Sequence, residues 1–176
     1  MKTILRILER AGGYRPTLYL KIENPPFMAL VIEATPEPGP TGLPAISIAH
    51  YGEQNGDLMR DPEMCFELVN SLQGALSLSS FYFRNDYLGI EQYSRFASEQ
   101  DCIVLSDLHR EHEQFARMWD RNIHAQGFDD AFNDKSIRGY LPVIRMSNGV
   151  LRYRASGIDE FLKEREHASN LRRKRR

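Results

Sequence analysis

The first apolar residues recur at helical spacing. Ile4, Leu5, Ile7, Leu8 and Ala11 fall on one stripe, which predicts a helix over residues 2–11, and Gly12-Gly13 end it. The period then drops to two. Leu18, Leu20 and Ile22 alternate with Tyr19 and Lys21, so residues 14–22 read as a half-buried strand that stops at Asn24-Pro25-Pro26. Phe27 to Ala34 reads as a second strand, more continuously apolar. Pro36, Pro38, Gly39, Pro40, Gly42 and Pro44 then give a stiff connector with few backbone donors.

The longest patterned stretch is Ala45 to Val69, AISIAHYGEQNGDLMRDPEMCFELV, which reads as a β-hairpin closed at Asn55-Gly56. Asn-Gly favours a type I′ turn, because both central positions need positive φ. Counting outward from a tight turn sets Gln54 against Asp57, Glu53 against Leu58, Tyr51 against Arg60 and His50 against Asp61. Pro62 has no N–H for the ladder, so pairing is expected to bulge or stop there and to resume from Met64. A Ser/Leu/Gly-rich connector over 71–80 leads to an aromatic strand, FYFRNDYLGIEQY, interrupted at Asn85-Asp86.

Helical spacing returns over 106–126, with Leu108, Phe115, Trp119 and Ile123 on one face and Gly127 as the stop. Leu141 to Arg154 predicts a second hairpin about Asn148-Gly149, with Met146 opposite Leu151 and Arg145 opposite Arg152. A final helix turns Ile158, Phe161 and Leu162 inward. The fold class is α+β: an antiparallel sheet of four or five strands, built on long hairpins and packed by N-terminal, central and C-terminal helices. Residues 1–128 form the core domain. Residues 129–176 add a hairpin, a helix and a basic tail, expected to pack on the same domain.

Composition narrows the class. A chain of 176 residues, 41 % apolar and 27 % charged, suits one globular domain with a short appendage. Cys65 and Cys102 lack metal-ligand spacing and are too few for a disulfide framework. No apolar run reaches the roughly 20 residues of a bilayer span, and charges interrupt MKTILRILERAGG where a signal peptide is apolar. The expected location is the cytoplasm. The formal net charge of −1 hides a division: Arg172, Arg173, Lys174, Arg175 and Arg176 carry five positive charges, leaving −6 on the rest.

Four groups carry candidate chemistry. His50, Glu53, Asp57, Asp61 and Glu63 lie at or beside the hairpin turn, an oxygen-rich set with one histidine of the kind a divalent cation takes. A metal held by His50, Asp57 and Asp61 would activate water against a phosphodiester. The plainer reading is a polar turn whose Tyr51, Glu53, Gln54, Asn55, Asp57, Asp61 and Glu63 contact a partner. His109, His112 and Glu113 share a helix face in LHREHE, short of the zincin HExxH, and a hydrogen-bonded, half-buried His112 explains the pattern as well. Arg145, Arg152 and Arg154, with the tail Arg172 to Arg176, make a candidate nucleic-acid footprint, although a pI near 6.5 is low for a dedicated binder. Phe81, Tyr82, Phe83, Tyr87 and Tyr93 either stack bases or pack a core. Glycine-rich phosphate loops, nucleophile elbows and dinucleotide fingerprints do not occur in the sequence, which argues against the common nucleotide-dependent enzymes.

AHYGEQNGDLMRDPEMCFE followed by FYFRNDYLGIEQ resembles a domain of unknown function found in bacterial plasmid, phage and integrative-element proteins. The shared order is a His-Tyr pair, an acidic-Gln-Asn-Gly-Asp turn, an Asp-Pro-acidic-Met segment and an Asn-Asp-Tyr-Leu-Gly strand. The opening helix, its Gly-Gly stop and LKIENPPFMALVIE fit the same pattern, so the resemblance covers residues 1–128. Such domains travel with conjugation, antirestriction and other anti-defence genes, alone or inside large polyvalent proteins. The resemblance implies that genomic setting, and the setting together with the division of charge gives the leading expectation: a non-enzymatic accessory protein that binds a host or element macromolecule, protein or nucleoprotein, without cofactor and away from membranes. Two alternatives stay open: a divalent-metal hydrolase or nuclease on the hairpin cluster, and a DNA-binding module on the arginine hairpin and tail. Oligomeric state is left open too.

Overall fold

The computed structural model describes residues 1–70, 74–99 and 101–133, with the strand backbones at 143–145 and 151–153. The chain divides into two compact units, Met1–Arg138 and Gly139–Arg176. The first opens with helix α1 (Lys2–Arg10) and continues as a meander. Its strands are β1 (Tyr19–Ile22), β2 (Leu30–Ala34), β3 (Ala45–Gln54), β4 (Asp57–Asn70), β5 (Leu76–Asn85) and β6 (Ile90–Tyr93). They form one antiparallel sheet in sequence order. A ribbon of β7 (Arg95–Ala97) and β8 (Cys102–Val104) leads into the long helix α2 (Ser106–Ala125) and the short α3 (Phe128–Ala131). The class is the α+β expected. The sheet has six strands rather than four or five, and the latter half of the presumed connector before Phe81 belongs to β5.

The hairpin closes at Asn55-Gly56 with φ of 54° and 91°, and pairs Gln54 with Asp57, Glu53 with Leu58 and Tyr51 with Arg60. The count then slips. Asp61 and Pro62 together face His50, and the ladder resumes with Ala49 opposite Glu63 and Ile48 opposite Met64. Side chains alternate between faces, so this one extra residue on β4 moves Met64 into the core and turns Glu63 outward. His50 and Asp61 are therefore not ladder partners, as straight counting had placed them. The ladder partner of His50 is Leu30 of β2. A second bulge at Phe81 sets Tyr82 opposite Cys65 and Ser80 opposite Phe66.

One face of the sheet is apolar and carries the helices. Leu20, Ile22, Leu30, Ile32, Ile46, Ile48, Met64 and Phe66 pack there with Ile4, Ile7 and Leu8 of α1 and Trp119 and Ile123 of α2. Each such side chain contributes about 1.5–3 kcal/mol by leaving water. Two polar contacts fix the helices. Asp120 of α2 accepts the backbone N–H groups of Lys2 and Thr3 at 2.8 and 3.0 Å, capping α1 from outside its own sequence. At the second bulge the Ser80 N–H and hydroxyl donate to Glu113 at 2.9 and 2.8 Å.

The outer face is polar, and the loop over 35–44 closes upon it at Glu67. This carboxylate is wholly buried. One oxygen accepts the Thr41 N–H and hydroxyl at 2.6 and 2.8 Å, and the other pairs with Arg95 at 2.7 Å. Arg95 also donates to the Ser79 hydroxyl at 2.8 Å. A Cβ at Gly39 would overlap the Glu67 side chain, so the loop approaches by backbone alone. The proline-rich connector is a cover for a buried charge. No helix among the described residues is long and apolar enough to cross a membrane.

In the second unit, β9 (Val143–Arg145) and β10 (Leu151–Tyr153) pair antiparallel. Arg145 lies opposite Leu151 and Arg152 opposite Ile144, which corrects the expected facing of Arg145 with Arg152 and of Met146 with Leu151. An odd number of residues, 146–150, separates the strands, whereas a two-residue turn at Asn148-Gly149 requires an even one. The expected C-terminal helix, Arg154 and the tail Arg172, Arg173, Lys174, Arg175 and Arg176 lie outside the described residues.

Candidate functional site

The β3–β4 turn and the β5–β6 turn meet at one end of the sheet, where two sequence motifs interlock. Asp86 accepts the Arg60 N–H at 2.8 Å, and its own N–H donates to the Arg60 carbonyl at 3.0 Å, which carries the β4–β5 pairing past Asn85. The Asn85 amide donates to Asp61 at 2.8 Å and accepts the Leu88 N–H at 3.0 Å. Arg84 pairs with Asp86, and Arg60 with Glu63, each at 2.6 Å. Tyr87 lies across Gly52, where a Cβ would come within 2.5 Å of its hydroxyl. Held from behind in this way, the tip exposes Glu53, Gln54, Asn55 and Asp57 beside Leu58, 65 % exposed, and Leu88, 68 % exposed. At the tip, bare apolar side chains thus stand next to carboxylates.

The tip does not assemble the cation set. His50 is buried on the helix side, its ring 5.7 Å from Trp119 and 5.4 Å from Phe128. Its Nδ1–H donates to the Ala29 carbonyl at 3.1 Å, and burial lowers its pKa. Asp61 shares that side with its carboxylate engaged by Asn85, Glu63 faces the opposite way, and Asp57 stands in solvent at the turn. The hydrolase trio His50, Asp57 and Asp61 is thus divided between core and surface. Among the described residues no three His, Cys, Asp or Glu side chains converge as metal ligands. On α2, His112 is buried 5.8 Å from the Phe83 ring, its Nε2 3.4 Å from the Gln92 side-chain oxygen. Burial and then His109 lower its pKa, while Glu113 is engaged by Ser80.

Glu63 is the hub of the outer face. One oxygen accepts the Ser47 hydroxyl at 2.7 Å, and the other pairs with Arg60. Around it Glu33, Tyr51, Cys65, Tyr82 and Tyr93 all have raised pKa values, first through burial, with the Glu63 carboxylate contributing to every one. Glu33 is pushed up to about 6. The Tyr82 hydroxyl donates to Glu91 at 2.9 Å. Such a face disfavours further negative charge and favours positive charge. Sequence reasoning named Tyr51 and Glu63, and Tyr82 and Tyr93 within the aromatic strand, but missed Glu33, Ser47, Cys65 and Glu91 as parts of this face. Those four come from four different strands, β2, β3, β4 and β6, and the one local clue was the Asp-Pro bulge that turns Glu63 outward.

Comparison with curated proteins and with solved structures found no match. The interlocked turns, the cover over Glu67 and the Glu63 hub all fall within residues 2–129, and over that stretch a family model described as a domain of unknown function, DUF6908, matches: the chain belongs to that family.

Proposed function

We propose that this domain is a non-enzymatic accessory protein of a mobile genetic element, acting in the cytoplasm by binding a host- or element-encoded macromolecule, as an anti-defence inhibitor of the antirestriction or anti-CRISPR kind does. The observation that carries this reading is the hairpin end, an anchored tip whose acidic and apolar side chains stand exposed. The mobile-element setting rests on the resemblance of the two motifs that interlock there. Charge favours a protein partner with a basic surface. Residues 1–133 hold 11 Lys and Arg against 19 Asp and Glu, a net of −8, which attracts basic proteins and repels a phosphate backbone.

The test is a tagged pull-down from host lysate, with and without nuclease. The comparison protein is a Glu53→Lys, Asp57→Lys, Leu58→Ser variant that melts as the parent does. A stoichiometric partner that survives nuclease and is lost by the variant supports the reading. Capture that ignores the variant removes the hairpin end from it. A second reading has its own observation: residues 134–176 hold 12 Lys and Arg against 5 Asp and Glu, a net of +7. Capture abolished by nuclease, and steeply salt-dependent, would favour nucleic-acid contact through Arg145, Arg152, Arg154 and the tail.

A further inference from the structure

Away from the hairpin end, the proline-rich loop leaves a cleft over the outer face. Pro36 and Pro38 face Tyr82 and Tyr93 across about 170 Å³, with Cys65 and Phe81 also lining the space. Small-molecule pockets begin at about 300 Å³. This one suits a single side chain. The two tyrosine rings meet at a corner, centroids 4.7 Å apart and planes inclined by 54°, with Tyr82 buried and Tyr93 52 % exposed.

Carboxylates stand behind these rings. Glu91 holds the Tyr82 hydroxyl, and Glu63 lies beside Cys65 in β4. Burial and then Glu91 raise the pKa of both phenols, and Glu63 adds to each. The guanidinium groups of the face are already engaged: Arg60 by Glu63, Arg84 by Asp86 and Arg95 by Glu67. An aromatic corner in a negative field favours a planar, delocalised cation, which stacks on the ring while its N–H groups meet carboxylate.

We infer that this cleft receives the guanidinium of an arginine side chain, presented by a basic segment of a partner protein and stacked on Tyr93 within reach of Glu91. A phosphate-bearing ligand is opposed by the charge of the face, and lysine lacks the plane that stacks. The inference stands apart from the hairpin end and does not need it.

The full chain is titrated with an oligoarginine peptide, with oligolysine and oligoglutamate of equal length as controls, followed by calorimetry and by the tyrosine ring signals in NMR. Oligoarginine should bind more tightly than oligolysine and shift the Tyr82 and Tyr93 rings. Tyr93→Ala should weaken binding about tenfold, and Tyr93→Phe, which keeps the aromatic face, should not. The paired change Glu53→Gln and Asp57→Asn at the tip should leave affinity within about twofold. Equal losses from Tyr93→Ala and the tip pair would show diffuse attraction to an acidic body and overturn the inference. So would absence of binding, or Tyr93→Phe behaving like Tyr93→Ala.

Discussion

On the helix side of the sheet, polar groups are few and lie within an aromatic layer: His50 against Trp119 and Phe128, His112 against Phe83. On the outer face the same strands set Glu33, Arg60, Glu63, Glu67 and Arg84 among tyrosines. There the balance of charge is uneven. Glu67, wholly buried, has Thr41 and Arg95; Glu33, partly buried, has no ion pair among the described residues. A buried charge persists where a partner offsets its desolvation, and otherwise the group shifts its pKa. The Glu67 end is therefore built for stability, and the Glu33 end is open to an added positive charge.

The largest effect should come from the compensated end. Glu67→Ala leaves Arg95 without its partner and should cost about 3–5 kcal/mol in urea denaturation. Gly39→Ala forces a methyl group against the pinned Glu67 side chain and should cost about 1–3 kcal/mol in the same assay. A loss well under this in either variant would mean that the cover is not what holds the charge.

Proton uptake should separate the two faces by sign. Burial lowers the pKa of His50 and His112, so the unfolded chain binds protons first and stability falls as pH drops below 6.5. Glu33 works the other way. Its pKa rises from 4.5 to about 6 on folding, so its share of stability is present at low pH and is lost as pH climbs through about 6. Glu33→Gln should therefore raise stability at neutral pH by no more than about 2 kcal/mol and leave the histidine-driven acid loss steeper. Melting curves across that range check both signs at once. The smallest effect belongs to the tip: Leu58→Ser and Leu88→Ser should change stability by less than about 0.5 kcal/mol, since both side chains already stand in water.

These contrasts also mark how much could be read along the chain. Asn55-Gly56 announced its turn and the first pairs beyond it, because a type I′ turn depends on two residues and counting does the rest. Pro62 signalled an irregularity, but not that Asp61 and Pro62 would share His50 and so reverse which side Glu63 faces. That choice is made by Met64, which must reach the core opposite Ile48. The periodicity of α2 placed Trp119 and Ile123 correctly, since one helix buries one face. Glu67 with Arg95, and Glu33 near Glu63, had no local signal, because separate strands bring them together. The cleft was hidden for the same reason, its proline wall having read as a connector.

The cap on α1 has a consequence for the order in which the protein is made. Strands β1 to β6 emerge from the ribosome in the order in which they pair, so the meander can assemble as it is synthesised. Helix α1 emerges before these strands, yet its acceptor arrives 118 residues later, in Asp120. At nine residues it is too short to persist alone. Helix α1 is thus secured only after the strands that follow it, and a chain cut before Asp120 leaves the apolar stripe of Ile4, Ile7 and Leu8 available to chaperones and proteases.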